Sequence, residues 1–195
     1  MKKRALFLIL PLLLSCLVAC SPSKPKQHFV GTDITSADFS QTFHLTDHTG
    51  KQRVMDDFKG KAIILFFGYT HCPDVCPTTM TDLKNTMKLL GSKADEVQVL
   101  FITLDPARDT QAVLAQFVPS FDQRFIGLRG NEKQTADTVA IYKIYAKKVE
   151  VSGKSDYTLD HSAGIYVYDK TGAIRLYINY GEKPAEIASD IKQLL

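Results

Sequence analysis

The sequence has no tryptophan, only four cysteines and, beyond its first residues, no excess of either charge. Three of its 24 Lys and Arg are Lys2, Lys3 and Arg4, and the remaining 21 are matched by 21 Asp and Glu. A chain so balanced, with no basic stripe, has no electrostatic footing for a phosphate backbone, so nucleic-acid binding is excluded. Four cysteines in 195 residues are too few for a disulfide scaffold. No internal repeat is present, which removes solenoids and propellers. With 11 Gly, 8 Pro and 45% hydrophobic residues, the chain is neither collagen-like nor disordered, and its length suits one domain with a sizeable core.

The long hydrophobic run needed for a membrane span is also missing. Ala5 to Ala19 is apolar apart from Pro11, Ser15 and Cys16, but its fifteen residues fall short of the about 20 a transmembrane helix requires. Behind a basic start, such a run reads as an export signal. Leu17-Val18-Ala19-Cys20 resembles the lipobox of bacterial lipoproteins, in which the cysteine is acylated and becomes the first residue after cleavage. Residues 1–19 are therefore expected to be a lipoprotein signal peptide, and 20–38 the lipidated Cys20 with a flexible tether rich in Pro, Ser and Lys. The folded domain is expected over 39–195. This places it at the bacterial cell envelope, outside the cytoplasm on the periplasmic side, held to a membrane by its lipid anchor.

Within the domain, Phe43-His44-Leu45 and Gln52-Arg53-Val54 flank Thr49-Gly50 and predict a hairpin. Ala62 to Phe67 is continuously apolar, as a strand covered on both faces would be. Met80, Leu83, Met87 and Leu90 fall at helical spacing, and Gly91 supplies the stop. A second strand is predicted from Val97 to Leu104, then helices from about Asp109 to Phe117 and Gln134 to Tyr145. Ile165 to Tyr168 and Ile174 to Ile178 follow as strands, and a last helix starts at Pro184. This alternation predicts an α/β chain: a thioredoxin-like three-layer sandwich with a mixed central sheet and an N-terminal β-hairpin.

If Cys16 leaves with the signal and Cys20 takes lipid, only Cys72 and Cys76 remain in the domain. They occupy the loop between the first buried strand and the first helix. Pro77 suits an early helical position and Cys76 the N-cap, where the positive end of the helix would favour a thiolate. Thiolates are nucleophiles of redox exchange and ligands of soft ions such as monovalent copper or zinc. A structural disulfide is the plain alternative, but it would close only five residues and contribute little stability. Of five histidines, His28 falls near the tether, His44 and His48 in the hairpin, and His71 beside Cys72. His161 precedes a strand which, if antiparallel to the central ones, begins at the edge where the cysteine loop leaves. It could close a site of two sulfurs and one imidazole, or be a solvated or capping residue. Asp105 and Arg108 follow the second strand to that same edge, where Asp105 could support a ligand and Arg108 be an ion-pair partner, with a structural role for each the plainer alternative. Asp109 or Thr110 can cap the next helix. Met80 shares the apolar stripe and belongs to the core.

Three segments together resemble the signatures of the Sco/SenC family: Phe67-Gly68-Tyr69-Thr70-His71-Cys72-Pro73-Asp74-Val75-Cys76-Pro77, Thr103-Leu104-Asp105-Pro106-Ala107-Arg108-Asp109-Thr110 and Asp160-His161-Ser162. The resemblance covers essentially the whole domain. It implies a thioredoxin-like, membrane-anchored copper protein that helps assemble the binuclear copper site of cytochrome c oxidase subunit II or another copper acceptor. By the same resemblance the copper ion falls to Cys72, Cys76 and His161, with Asp105 and Asp160 supporting them. A thiol reductant would keep Cys72 and Cys76, a redox-active pair, reduced. The competing reading is a thiol-disulfide oxidoreductase using Cys72 and Cys76 without metal. Against a general redox role stand the three-residue spacer and the lack of any proline between Pro119 and Pro184 to face the cysteines.

Overall fold

The computed structural model describes residues 27–37, 42–150 and 156–195. The expected signal peptide, Cys20 and the first part of the tether lie outside the described residues. In chain order the strands are β1 (Thr32–Asp33), β2 (His44–Asp47), β3 (Gln52–Val54), β4 (Ala62–Gly68), β5 (Val97–Thr103), β6 (Ile126–Arg129), β7 (Ala146–Glu150), β8 (Tyr157–His161), β9 (Ile165–Tyr168) and β10 (Ile174–Ile178). The helices are α1 (Val75–Leu90), α2 (Gln111–Phe121), α3 (Glu132–Ile141) and α4 (Pro184–Lys192).

Eight strands form one mixed sheet in the order β1-β10-β9-β4-β5-β6-β2-β3. β4, β5 and β6 run parallel, whereas β9 lies antiparallel against β4 with Ile165 opposite Phe66. Every residue of β4 and β5 is buried, as a central strand covered on both faces requires. Phe66 packs on Phe101, which meets Phe117 of α2; Phe67 turns to the opposite face and meets Tyr142 at the end of α3. Helices α1, α2 and α4 thus cover one face and α3 the other, the predicted three layers. The hairpin of β2 and β3 forms about Thr49-Gly50, where Gly50 has φ +91°.

Several boundaries differ from the sequence reading. Packing begins well before residue 39: β1 pairs with β10, and the amides of Val30 and Gly31 donate to Asp190 at 2.8–3.0 Å. Asp190 is buried in α4, and a buried carboxylate must find donors, so it draws this part of the expected tether onto the domain. α2 starts later than predicted, with Thr110 rather than Asp109 as its side-chain cap, and continues past Pro119. α3 ends at Ile141, where the chain turns through Lys143 at φ +52° into a separate two-stranded sheet of β7 and β8. The sequence did not predict that hairpin, because every residue of β7 (Ala-Lys-Lys-Val-Glu) is exposed and leaves no alternating pattern.

Candidate metal centre

Three parts of the chain converge at the carboxyl end of β4. Cys72 lies in the loop that leaves this strand, Cys76 in the first turn of α1, and His161 is the last residue of β8. One ligand atom from each, two Sγ and an imidazole nitrogen, lie within 4.8 Å of one another. The antiparallel course of β9 brings His161 there, as its place in the chain order suggested.

The helix start differs from expectation. Asp74, not Cys76, is the N-cap, and Cys76 is the second helical residue. It is Cys72 that receives a first-turn amide, from Cys76 N to Sγ at 3.3 Å. Cys72 is half-buried; Cys76 is fully buried beneath it. Burial pushes the Cys76 thiol far above the ordinary cysteine range, against a hydrogen bond from the Tyr69 amide that pulls the other way. The free Cys76 is therefore a neutral thiol. Gly68 makes room for it, because a Cβ there would stand 2.9 Å from Cys76 Sγ and 2.9 Å from Phe101 Cε2.

His161 is held in one tautomer. Its Nδ1 lies 2.9 Å from the carbonyl oxygen of Ser162, which can only accept, so Nδ1 carries the proton. Nε2 keeps its lone pair and lies 3.5 Å from Cys76 Sγ. Burial lowers the affinity of the ring for a second proton, opposed by the Ser162 carbonyl and the charge of Asp160. A neutral imidazole with its far nitrogen tied to a carbonyl is prepared as a metal ligand. With metal–sulfur and metal–nitrogen bonds of about 2.3 and 2.1 Å, as for zinc, the 3.5 Å separation subtends an angle of about 105°. Two soft sulfurs and one imidazole suit monovalent copper or zinc.

Asp105 and Asp160 do not touch the ligands. Asp105 is buried and accepts from Tyr157 Oη at 2.7 Å and from Arg108 Nε. The Asp160 carboxylate is exposed and makes no hydrogen bond among the described residues; the Ser162 carbonyl orients the ring in its place. His71 is about half exposed and pairs with Thr70 Oγ1 at 3.1 Å, outside the ligand cluster. His48, in the turn of the hairpin, accepts from the Gly127 amide at 3.0 Å and ties β6 to the hairpin. Met80 is buried in the core. The sequence reading missed the real use of Asp109: fully buried, it accepts from Thr70 N at 3.0 Å, Thr70 Oγ1 at 2.6 Å and Thr103 Oγ1 at 2.5 Å, fixing the cysteine loop to the end of β5. The one signal available was its place in the loop after β5.

The sequence model of the SCO1/SenC family matches residues 31–195, the whole domain with all three ligand candidates. The chain belongs to that family. It is 36% identical over 152 residues to the mitochondrial protein SCO2 homolog of Danio rerio, covering 77% of this chain and 54% of that protein. A SCO2-like protein of Rickettsia felis is 32% identical over 175 residues, covering 88% of this chain and 84% of the other. The chain thus spans little more than half of the vertebrate relative but most of the bacterial one. Among solved structures, Bradyrhizobium japonicum ScoI with copper bound superposes with a TM-score of 0.74 at 41% identity, covering 82% of this chain and all of that one. The family membership and this likeness together give the sheet and helices their thioredoxin-like assignment.

Proposed function

We propose that this protein is a copper chaperone that holds one copper ion through Cys72, Cys76 and His161 and passes it to the thiolates of an acceptor, the binuclear copper site of cytochrome c oxidase subunit II. The observation that carries the reading is the convergence of two sulfurs and one imidazole nitrogen within 4.8 Å. The copper-bound state of the similar B. japonicum protein supports the choice of ion. Copper is the cargo, and this chain's residues prepare for it. His161 presents a bare Nε2, and the two thiols each give up a proton to solvent as the ion binds. Cys76 is sealed by α1 and β4, whereas Cys72 is half-buried. Ligand exchange therefore begins at Cys72: one acceptor thiolate takes its coordination place and Cys72 regains a proton, then a second acceptor ligand displaces Cys76, which takes up a proton from solvent, and His161.

The same reading anchors the domain to a membrane of the bacterial cell envelope through acylated Cys20, on the periplasmic side. A thiol reductant keeps Cys72 and Cys76 ready there. A metal-free thiol-disulfide oxidoreductase is the second reading. What favours it is the hydrogen bond that the Cys76 amide, in the first turn of the helix, donates to the half-buried Cys72 Sγ, which suits an attacking thiol.

The test is titration of the reduced, anaerobic protein with copper(I) against a competing chelator, with His161→Ala beside it. One tight equivalent, weakened at least tenfold by the substitution, is expected. No specific copper binding, in a protein whose cysteines still cycle with a disulfide substrate at a rate unaffected by His161→Ala, would replace the chaperone with the enzyme.

A further inference from the structure

His161 differs from the two sulfurs in how it is held. Cys72 lies in the loop between β4 of the main sheet and α1, and Cys76 in α1, whereas His161 ends a hairpin whose strands pair only with each other among the described residues. What fixes that hairpin to the domain lies on its inner face. Tyr157, Leu159 and His161 alternate along β8, and each meets a residue from the loops that follow β4 and β5. The Leu159 amide donates to Tyr69 Oη at 3.2 Å, and the Tyr69 ring stands edge-on to the His161 ring at 5.9 Å between centroids. Tyr157 Oη donates to the buried Asp105 at 2.7 Å.

Arg108 closes the arrangement. Its guanidinium carbon sits 3.6 Å from the Tyr157 ring centroid and 5.8 Å from that of Tyr69. Nε pairs with Asp105, and Nη1 donates to Asp156 Oδ1 at 2.7 Å and to the Tyr157 carbonyl at 2.9 Å. Nη2 is buried and has no hydrogen-bond partner among the described residues. A planar cation fits between rings and carboxylates in this way where a lysine ammonium does not. The stack on Tyr157, the Asp105 pairing and the two Nη1 bonds hold the side chain there.

Resting on the copper-site reading above, we infer that Arg108 and Tyr157 are positioning residues: together with Asp105 they clasp the β7–β8 hairpin so that His161 Nε2 reaches the cysteine pair. Tyr157 acts through the hairpin that carries His161, and Arg108 adds a stack on Tyr69, whose amide donates to Cys76, so His161 is the main route by which the two affect metal binding. Outer partners of metal ligands typically change affinity by about 10-fold to 100-fold.

The test uses the full chain in mild detergent, with Tyr157→Phe and Arg108→Lys made singly and in a His161→Ala background. Copper(I) affinity is read by chelator competition, and exchange of the Leu159 amide is read in the copper-free protein. Each single substitution should weaken copper by about tenfold and speed Leu159 exchange, yet weaken it less than about twofold further once His161 is gone, as expected of residues that act as one unit. Affinity within about twofold of the parent, or an equal loss with and without His161, would overturn the positioning role. Should the parent bind no copper, the copper reading fails on its own. The clasp is then judged by Leu159: faster exchange in the variants supports it, and unchanged exchange refutes it.

Discussion

Replacing Asp109 by alanine and by asparagine should give two distinct outcomes, because its two carboxylate oxygens face different donors. Oδ2 accepts from the Thr70 amide at 3.0 Å and from Thr103 Oγ1 at 2.5 Å. Thr103 Oγ1 already accepts from the Asp105 amide at 2.9 Å, so its only proton goes to Asp109. Alanine strands both of these donors in a buried place, each at about 1–3 kcal/mol, for a total near 4 kcal/mol. Oδ1 is less demanding, since its donor is the Thr70 hydroxyl at 2.6 Å, and a hydroxyl can reverse. With an asparagine NH2 at that position, Thr70 Oγ1 accepts from it and donates to His71 Nδ1, 3.1 Å away. Asparagine keeps an oxygen where one is needed and should cost only about 1 kcal/mol. Urea unfolding of the reduced, metal-free variants, compared at equal slope, measures both values. Because Thr70 leads directly into Cys72, copper affinity should fall in the alanine variant and survive in the asparagine one. An alanine variant within about 1 kcal/mol of the parent, or an asparagine variant as unstable as alanine, would refute the assignment of donors.

Two further outcomes follow from the site. Cys76 is a neutral thiol in the free protein, since burial raises its pKa far above neutrality, so copper binding must release its proton throughout pH 6 to 8. Affinity should therefore rise at least about tenfold per pH unit across that window. His161, whose pKa is lowered by burial, adds no pH dependence above its ordinary value. Proton counting by calorimetry in buffers of different ionisation enthalpy checks this, and an affinity flat in pH would contradict a protonated Cys76. Gly68→Ala places a Cβ 2.9 Å from Cys76 Sγ and from the Phe101 ring, both walled in by the core. Overpacking there should cost about 1–3 kcal/mol and displace Cys76 from the metal, read by denaturation and by chelator competition.

The strands and helices that bury one face or both were legible in the sequence, because burial leaves a period. The apolar run of β4, the Met80-Leu83-Met87-Leu90 stripe of α1, the Gly91 stop and the Thr49-Gly50 turn all report local physics that any fold must satisfy. The convergence of Cys72, Cys76 and His161 was open to chain order only as a conditional, since a strand antiparallel to β4 begins where β4 ends, and it was the structure that showed β9 to run that way. What the sequence could not disclose is whatever depends on partners far along the chain. β7 is exposed at every position and shows no alternation, so its pairing with β8, and with it the platform for His161, arises only from the hairpin closing. Asp109 reads locally as a helix cap, yet its carboxylate serves Thr70, 39 residues away. Asp105 reads as support for a ligand, yet it grips Tyr157, 52 residues on. The sign of the Cys76 shift was likewise decided in three dimensions: the helix start favours a thiolate, but the core that closes over Cys76 removes the water a thiolate needs, and burial is the larger effect.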